Sequence, residues 1–288
     1  MTGLSPNNNG AKILALAPKL ALFIAIAGAA HVLLPERITP IAGLLVSSAL
    51  TVFAAGAIAN ELSVYLWEQG KLSDFGLGWN AKSARNTFLG IACGLGAAAA
   101  IVLFSLAARF AVYEALPDQP ANLPNMAFVA FVLIFGAAGE EMLFHGYAFQ
   151  AQRKAMGDFA AILPVAVIFG VVHMGNANVS ILGIVNTVLW GVLLGWSYVL
   201  TEGLWLPIGL HFGWNLGLMI FGVNLSGFTI GVVGYELHWN RGDLYSGGAY
   251  GLEGSFLTTI AVAALFYAVF YAVKRANPEE VPGETGGV

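Results

Sequence analysis

Long apolar runs, separated by short polar segments, extend along most of the chain. A transmembrane helix needs about 20 consecutive, mostly apolar residues. Eight segments meet this requirement: 13–34, 39–60, 88–112, 126–149, 159–177, 179–200, 204–222 and 255–273. The pattern therefore predicts an all-α fold, a polytopic membrane helical bundle of about eight transmembrane helices, and a single membrane domain over residues 1–288.

Three segments depart from this helical pattern. Residues 61–87 mix charges with aromatic side chains, which favours a position at the membrane surface. Residues 223–254 are rich in glycine and aromatic residues and show no periodicity that predicts an element. Residues 277–288 contain proline, glycine and three glutamates, and this composition predicts a disordered tail.

The composition supports a membrane protein and excludes other classes. Of the 288 residues, 58% are hydrophobic and 10% are charged, whereas soluble domains carry about 25% charged residues. The net charge is −4 and no basic block is present, which excludes a nucleic-acid-binding protein. The single cysteine, Cys93, cannot form an internal disulfide or a cluster of thiolate metal ligands.

The positive charges predict the orientation of the helices. If eight helices cross the membrane, nine of the twelve lysines and arginines fall on the side that holds both termini, and Arg37, Arg109 and Arg241 fall on the other. Because Lys and Arg are enriched in cytoplasmic loops, both termini are predicted to be cytoplasmic. We therefore expect a multi-pass protein of the cell membrane that is surrounded by the lipid bilayer.

Ionisable residues are scarce inside the apolar runs. A charged side chain at the centre of a membrane costs free energy, so such a residue usually has a functional role or a paired partner. The fourth segment contains Glu140, Glu141 and His145. Adjacent residues of a helix point about 100° apart, so the two carboxyls serve different partners. Glu141 and His145 share a face because they are four residues apart. Glu140 is therefore the candidate for a reactive cavity; the alternative is a structural polar cluster that joins helices.

Two further groups lie in later segments. His173 ends the sequence Phe-Gly-Val-Val-His in the fifth, while His211 and Asn215 share one face of the seventh. From the predicted helix ends, the four residues Glu140, His173, His211 and Asn215 fall in one layer near the middle of the membrane. A shared site requires this common depth, although hydrogen bonding between helices would also explain these side chains.

Glycine pairs with the spacing Gly-x-x-x-Gly permit close helix packing near these groups. Gly191 and Gly195 form one such pair, and Gly213 and Gly217 form another. The second pair flanks Asn215, so we expect another helix to approach the seventh segment at that point.

The order of the motifs resembles the family of CAAX proteases and bacteriocin-processing enzymes, abbreviated CPBP, which includes the type II CAAX prenyl endopeptidases. The family pattern is Glu-Glu-x-x-x-Arg, then Phe-x-x-x-His, then His-x-x-x-Asn or Asp. The corresponding stretches of this chain are 140–145, 169–173 and 211–215. The resemblance covers residues 126–222, which are therefore the expected catalytic core. The chain departs from the family at His145, where the family has arginine.

The resemblance implies an intramembrane endopeptidase, a hydrolase with the following roles for these residues. Glu140 is the expected general base that activates water, and His173 positions that water. His211 and Asn215 stabilise the oxyanion. Glu141 belongs to the same catalytic set, and His145 is expected to hold the Glu141 side chain in position. Because histidine can be neutral at pH 7 while arginine cannot, the expected pairing is a hydrogen bond that shares one proton.

The sequence leaves three questions open. The family is commonly described as metalloproteases, and Glu140, His173 and His211 could bind Zn²⁺ with a fourth position free; metal-free hydrolysis uses the same three residues. The expected substrate is a peptide or protein, and a C-terminal prenylated peptide, a leader peptide and an export-related, membrane-associated partner all stay open. The alternative functions are a proton- or ion-coupled transporter and an inactive membrane scaffold.

Overall fold

The computed structural model describes residues 7–276 and consists mainly of helices in that range. In chain order the helices are α1 (Asn7–Leu33), α2 (Pro35–Glu68), α3 (Ala81–Ala107), α4 (Leu123–His145), α5 (Tyr147–Met156), α6 (Asp158–Val172), α7 (Ile181–Thr201), α8 (Trp205–Ile220), α9 (Asp243–Ser246) and α10 (Phe256–Ala276). Two short strands, β1 (Ala111–Ala115) and β2 (Tyr235–Trp239), complete the regular structure.

Seven helical segments of the described range are long and apolar enough to cross a membrane. This finding confirms the predicted all-α, polytopic membrane fold. The predicted segment 204–222 corresponds to α8, which has 16 residues and is not one of the seven. At about 1.5 Å per residue α8 spans roughly 24 Å, so the count of eight spans depends on this one helix. The predicted tail, residues 277–288, lies outside the described residues.

The predicted helix 126–149 is divided in the structure. α4 ends at His145, Gly146 leaves the helical conformation, and α5 begins at Tyr147. The Asn60 side chain stabilises the break, since its amide donates to the Met142 carbonyl (2.8 Å) and its oxygen accepts from the Tyr147 N–H (2.7 Å). An apolar run alone could not predict this break, because its cause is a side chain from α2.

The predicted helix 88–112 is also shorter than expected. α3 ends at Ala107, and residues 111–115 form β1 instead, paired antiparallel with β2. The register runs from Ala111 opposite Trp239 to Ala115 opposite Tyr235. The uninterpreted segment 223–254 therefore contains half of a two-stranded sheet, together with α9 and two short 3-10 turns. The polar segment 61–87 is partly helical, because it contains the end of α2 and the start of α3.

Glycines bring α3 and α8 into close contact. A methyl group on Gly94 would collide with the backbone of Leu210 and Trp214, and one on Gly213 would collide with the backbone of Ile91. Gly191 likewise lies against the backbone of Ala166 in α6, whereas Gly195 lies against the side chains of His145 and Ile162. The backbones approach because no side chain separates them. These contacts fix α8, which carries His211 and Asn215, within the bundle.

Ion pairs connect several of the helices and the turns between them. Lys19 of α1 pairs with Glu68 of α2 at 2.6 Å. Arg153 of α5 binds Glu202, just after α7, through both terminal nitrogens at 2.7 and 2.6 Å, and it also pairs with Asp158. These residues belong to the side that the charge distribution predicts to be cytoplasmic.

Candidate active site

The two adjacent glutamates of α4 have different surroundings. The Glu141 side chain is completely buried, whereas 26% of the Glu140 side chain is exposed. α4 starts after Asn122, whose side chain accepts a hydrogen bond from the Asn125 N–H, as expected at a helix N-terminus. On this continuous helix successive side chains diverge by about 100°, so the Glu140 carboxyl is partly exposed while the Glu141 carboxyl faces the protein interior.

Glu141 is shared by two histidines. Its Oε2 lies 2.7 Å from Nδ1 of His145, and its Oε1 lies 2.8 Å from Nδ1 of His211. An ionised carboxylate can only accept hydrogen bonds, so both Nδ1 atoms are assigned as protonated donors. This bridge fixes the His211 ring with Nε2 directed towards Glu140. Sequence reasoning paired Glu141 with His145 but missed its bond to His211, because those two residues are 70 positions apart.

His173 is held by the backbone of its own helix. It follows the last residue of α6, and its Nδ1 lies 2.7 Å from the Phe169 carbonyl. Because a carbonyl oxygen accepts, Nδ1 carries the proton and Nε2 has a free lone pair. The Phe169 ring packs against the His173 ring with centroids 4.5 Å apart. The Phe-x-x-x-His spacing thus supplies both the carbonyl and the ring that orient His173.

Glu140 faces the Nε2 atoms of both histidines. Its Oε2 lies 3.8 Å from Nε2 of His173 and 3.9 Å from Nε2 of His211. These distances are too long for direct hydrogen bonds. The same oxygen is buried and has no hydrogen-bond partner among the described residues. Buried polar atoms are nearly always satisfied, so the space between these three atoms is suited to a bound water molecule or a substrate atom.

Asn215 lies one turn after His211 on the same face of α8 and is half-buried. Its amide forms no hydrogen bond with another residue in the part of the chain that the structure describes. The structure therefore brings Glu140, Glu141, His145, His173 and His211 into one connected cluster, with Asn215 beside it on α8. Asn215 is not joined to the cluster by a direct contact, which leaves its N–H donors available to a ligand.

The spacing of these side chains can be compared with a zinc site. Tetrahedral Zn²⁺ with bonds of about 2.0 Å separates its ligand atoms by roughly 3.3 Å, and the distances from Glu140 to the two ring nitrogens are about half an ångström longer. Within residues 7–276 no group of three His, Cys, Asp or Glu side chains has the spacing of metal ligands. The residue types suit zinc, but among the described residues their spacing is wider than that of a tetrahedral zinc site.

One acidic residue near the cluster was not identified from the sequence. Glu253 lies in a turn just before α10, and it interacts electrostatically with both His173 and His211. Burial raises the pKa of the Glu253 carboxyl, and hydrogen bonds from Ser226 oppose that effect. No motif marked this residue, because it belongs to the segment 223–254 and reaches the site only through folding of that segment.

Comparison with known proteins agrees with the motif order. The family model described as Rce1-like, type II CAAX prenyl endopeptidase, matches residues 122–217. A search of curated proteins found no match. The matched range contains all six residues of the candidate site that the sequence indicated and extends from the start of α4 into α8. Residues 122–217 of this chain of 288 residues are therefore similar to the family of Rce1-like type II CAAX prenyl endopeptidases.

Proposed function

We propose that the protein is an intramembrane endopeptidase that hydrolyses peptide bonds with a water molecule activated by Glu140. The observation that carries this proposal is the buried, unpartnered Oε2 of Glu140, which faces two imidazole nitrogens at 3.8 and 3.9 Å. A general base must lie within hydrogen-bonding reach of the water that it deprotonates. The family match supports a protease of the CAAX type.

The first half of the reaction uses Glu140 and His173. A water molecule between them donates one hydrogen bond to Glu140 and a second to the free Nε2 lone pair of His173. Glu140 takes a proton from this water while the water oxygen attacks the carbonyl carbon of the substrate. A C–O bond forms while the carbonyl π bond opens, and the negative charge moves to the carbonyl oxygen.

The second half requires stabilisation of that oxyanion and protonation of the leaving group. The Asn215 amide supplies an N–H donor, and His211 supplies another when its Nε2 is protonated. Glu141 keeps the His211 ring in position for this contact. The protonated Glu140 then gives its proton to the amine nitrogen as the C–N bond breaks. One water is consumed, and a carboxylic acid and an amine are released.

The geometry supports a proton or ion pathway less well than it supports peptide hydrolysis. Such a pathway needs polar groups that continue towards both sides of the membrane. The chain of contacts from His211 through Glu141 ends at Nε2 of His145, which is buried and has no hydrogen-bond partner among the described residues. Gly195 packs against that nitrogen. The polar chain therefore ends inside the bundle.

Cleavage of a peptide by the purified full-length protein tests this proposal. The substrates are one prenylated C-terminal peptide and one leader-type peptide, incubated with and without a chelator and analysed by mass spectrometry. Cleavage that persists in the chelator supports metal-free hydrolysis. Loss of cleavage in the chelator, restored by added Zn²⁺, would show that a metal replaces the proposed water contacts. Absence of any cleavage would favour the inactive scaffold.

A further inference from the structure

A ladder of three side-chain contacts joins the end of α4 and helix α5 to the facing side of α7. Phe149 and Arg153 lie four residues apart on one face of α5, and Tyr198 and Glu202 have the same spacing at the end of α7. The three contacts of this ladder pair His145 with Gly195, Phe149 with Tyr198, and Arg153 with Glu202. The ladder thus runs from the surface of the bundle to the side chain that holds Glu141.

The outer contact of the ladder fixes α5 against the end of α7. Both terminal nitrogens of Arg153 donate to Glu202, at 2.7 and 2.6 Å, and its Nε donates to Asp158 of α6. The guanidinium also lies over the Tyr198 ring, 5.8 Å from its centroid. A bidentate pair fixes orientation as well as distance, whereas an ion pair near the surface contributes little to stability. This contact therefore determines geometry more than it adds stability.

The middle contact is an aromatic pair in the bundle interior. Phe149 is fully buried and Tyr198 is 4% exposed, and their rings meet edge to face with centroids 5.5 Å apart. The Phe149 ring also meets the His145 ring, with centroids 5.3 Å apart and the planes nearly perpendicular. Protein interiors are packed as densely as organic crystals, so a shift of one ring displaces its neighbours. A movement of α5 therefore reaches His145 through Phe149.

The inner contact leaves the His145 ring little free space. A methyl group on Gly195 would lie only 3.3 Å from its Nε2, and 1% of the side chain is exposed. Its Nδ1 lies 2.7 Å from Glu141, whose other oxygen lies 2.8 Å from Nδ1 of His211. The ring is thus confined by Phe149, Gly195 and Glu141. A displacement of His145 changes the direction from which Glu141 holds His211.

We infer that Arg153 is a positioning residue, which sets the orientation of the His211 ring from the surface of the bundle. It acts through the ladder and then through Glu141, which His145 holds. Small displacements matter at such a site, because a misplacement of about 1 Å can lower a rate by about 10²-fold. The expected effect on cleavage rests on the proposed function, whereas the orientation of the His211 ring does not.

Nuclear magnetic resonance of the histidine rings tests this orientation without requiring hydrolysis. The full-length protein is labelled with carbon-13 at Cε1 of its five histidines and reconstituted in nanodiscs, and each signal is assigned by single substitution. Arg153→Gln and Glu202→Gln break the same contact but change the net charge in opposite directions. We expect both variants to shift the His211 signal in the same direction, because the ring moves in both.

A matched control comes from an arginine outside the ladder. Arg241 lies over the Phe110 ring, 5.1 Å from its centroid, and Arg241→Gln should leave the His211 signal unchanged. An unchanged His211 signal in Arg153→Gln would overturn the inference. Shifts of opposite sign in Arg153→Gln and Glu202→Gln would overturn it as well, because a change of charge without movement of the ring produces that result.

A double-mutant cycle tests the consequence for cleavage, with the same peptides that test the proposed function. We expect Arg153→Gln to lower kcat about tenfold with little change in KM, and Arg241→Gln to keep the native rate. In the His145→Ala background the ladder lacks its inner contact, so Arg153→Gln should lower kcat no further. A tenfold fall that persists in that background would contradict the inference. If the native protein cleaves no peptide, the proposed function fails, while the His211 signal still tests the role of Arg153.

Discussion

At the residue scale, the Glu141 carboxylate joins two histidines that arrive from different parts of the chain. His145 lies one turn away on α4, and His211 comes from α8. Each carboxylate oxygen accepts one Nδ1–H, so the loss of either ring leaves a buried oxygen without a partner. Glu141 therefore orients the His211 ring, and His145 stabilises Glu141.

His145→Ala tests this chain of contacts. We expect the free energy of unfolding to fall by about 1–3 kcal/mol, because a buried carboxylate oxygen loses its donor. Cleavage should also fall, since Glu141 then holds His211 less firmly. His145→Arg should retain more activity than Ala, because arginine supplies donors to Glu141 and restores the family residue, although Gly195 leaves little room for a longer side chain. Thermal unfolding in detergent and the cleavage rate are measured for both variants. If the Ala variant matches the native protein in both, His145 does not hold Glu141.

Asn215→Leu tests the proposed oxyanion contact. Leucine has nearly the shape of asparagine but lacks the N–H donors and carries no charge. Removal of one oxyanion donor typically lowers kcat by about 10²–10³. We expect a fall of this size in kcat with little change in KM, because the contact forms in the transition state. A rise in KM with unchanged kcat would instead place Asn215 in ground-state binding.

The residue types of the site could be predicted from the sequence, but several of their contacts could not. Helical spacing alone pairs Glu141 with His145 and His211 with Asn215. The bond between Glu141 and His211 depends on how α4 packs against α8, and the position of Glu253 depends on the folding of residues 223–254. Local periodicity carries no information about such distant contacts.

At the scale of the elements, close packing of α3 and α8 positions the residues of α8. Gly94 of α3 meets the backbone of Leu210 and Trp214, which flank the turn that carries His211. Gly96, two residues further along the same helix, has open space around it. These two glycines provide a test in which the same substitution meets opposite surroundings.

Gly94→Ala should lower the free energy of unfolding by about 1–3 kcal/mol, because the added methyl group forces the two backbones apart. Cleavage should decrease as well, since α8 and His211 move with that displacement. Gly96→Ala should be neutral or stabilising by up to about 1 kcal/mol, as alanine favours a helix more than glycine does. Thermal unfolding of both variants in the same detergent provides the comparison. Equal stability of the two would mean that the close approach of α3 and α8 does not hold the bundle together.

The apolar runs predicted where the membrane helices lie but not where they end. Hydrophobicity continues across the break at Gly146, so the separation of α4 from α5 could not be inferred from it. The same hydrophobicity predicts a helix at residues 111 and 112, although pairing with β2 makes them part of a strand. Both corrections depend on partners that are distant in the chain.

At the scale of the whole molecule, the short helix α8 decides the topology. With α8 as a span, eight crossings leave both termini on one side, and the positive charges predict that this side is the cytoplasm. With the seven long spans alone, the termini would lie on opposite sides. Reporter fusions to each terminus measure this directly. We expect both reporters to be cytoplasmic, and opposite locations would show that α8 does not cross.

The central claim for the whole molecule is that Glu140 activates water for peptide hydrolysis. The measurement that tests it most directly is the cleavage rate of Glu140→Gln beside that of Glu36→Gln, an exposed glutamate at the start of α2 that serves as the matched control. Glutamine keeps the shape of Glu140 but cannot accept a proton. We predict that Glu140→Gln cleaves about 10²–10⁴-fold more slowly than the native protein with unchanged thermal stability, while Glu36→Gln cleaves at the native rate. A correctly folded Glu140→Gln variant that cleaves as fast as the control would contradict this account.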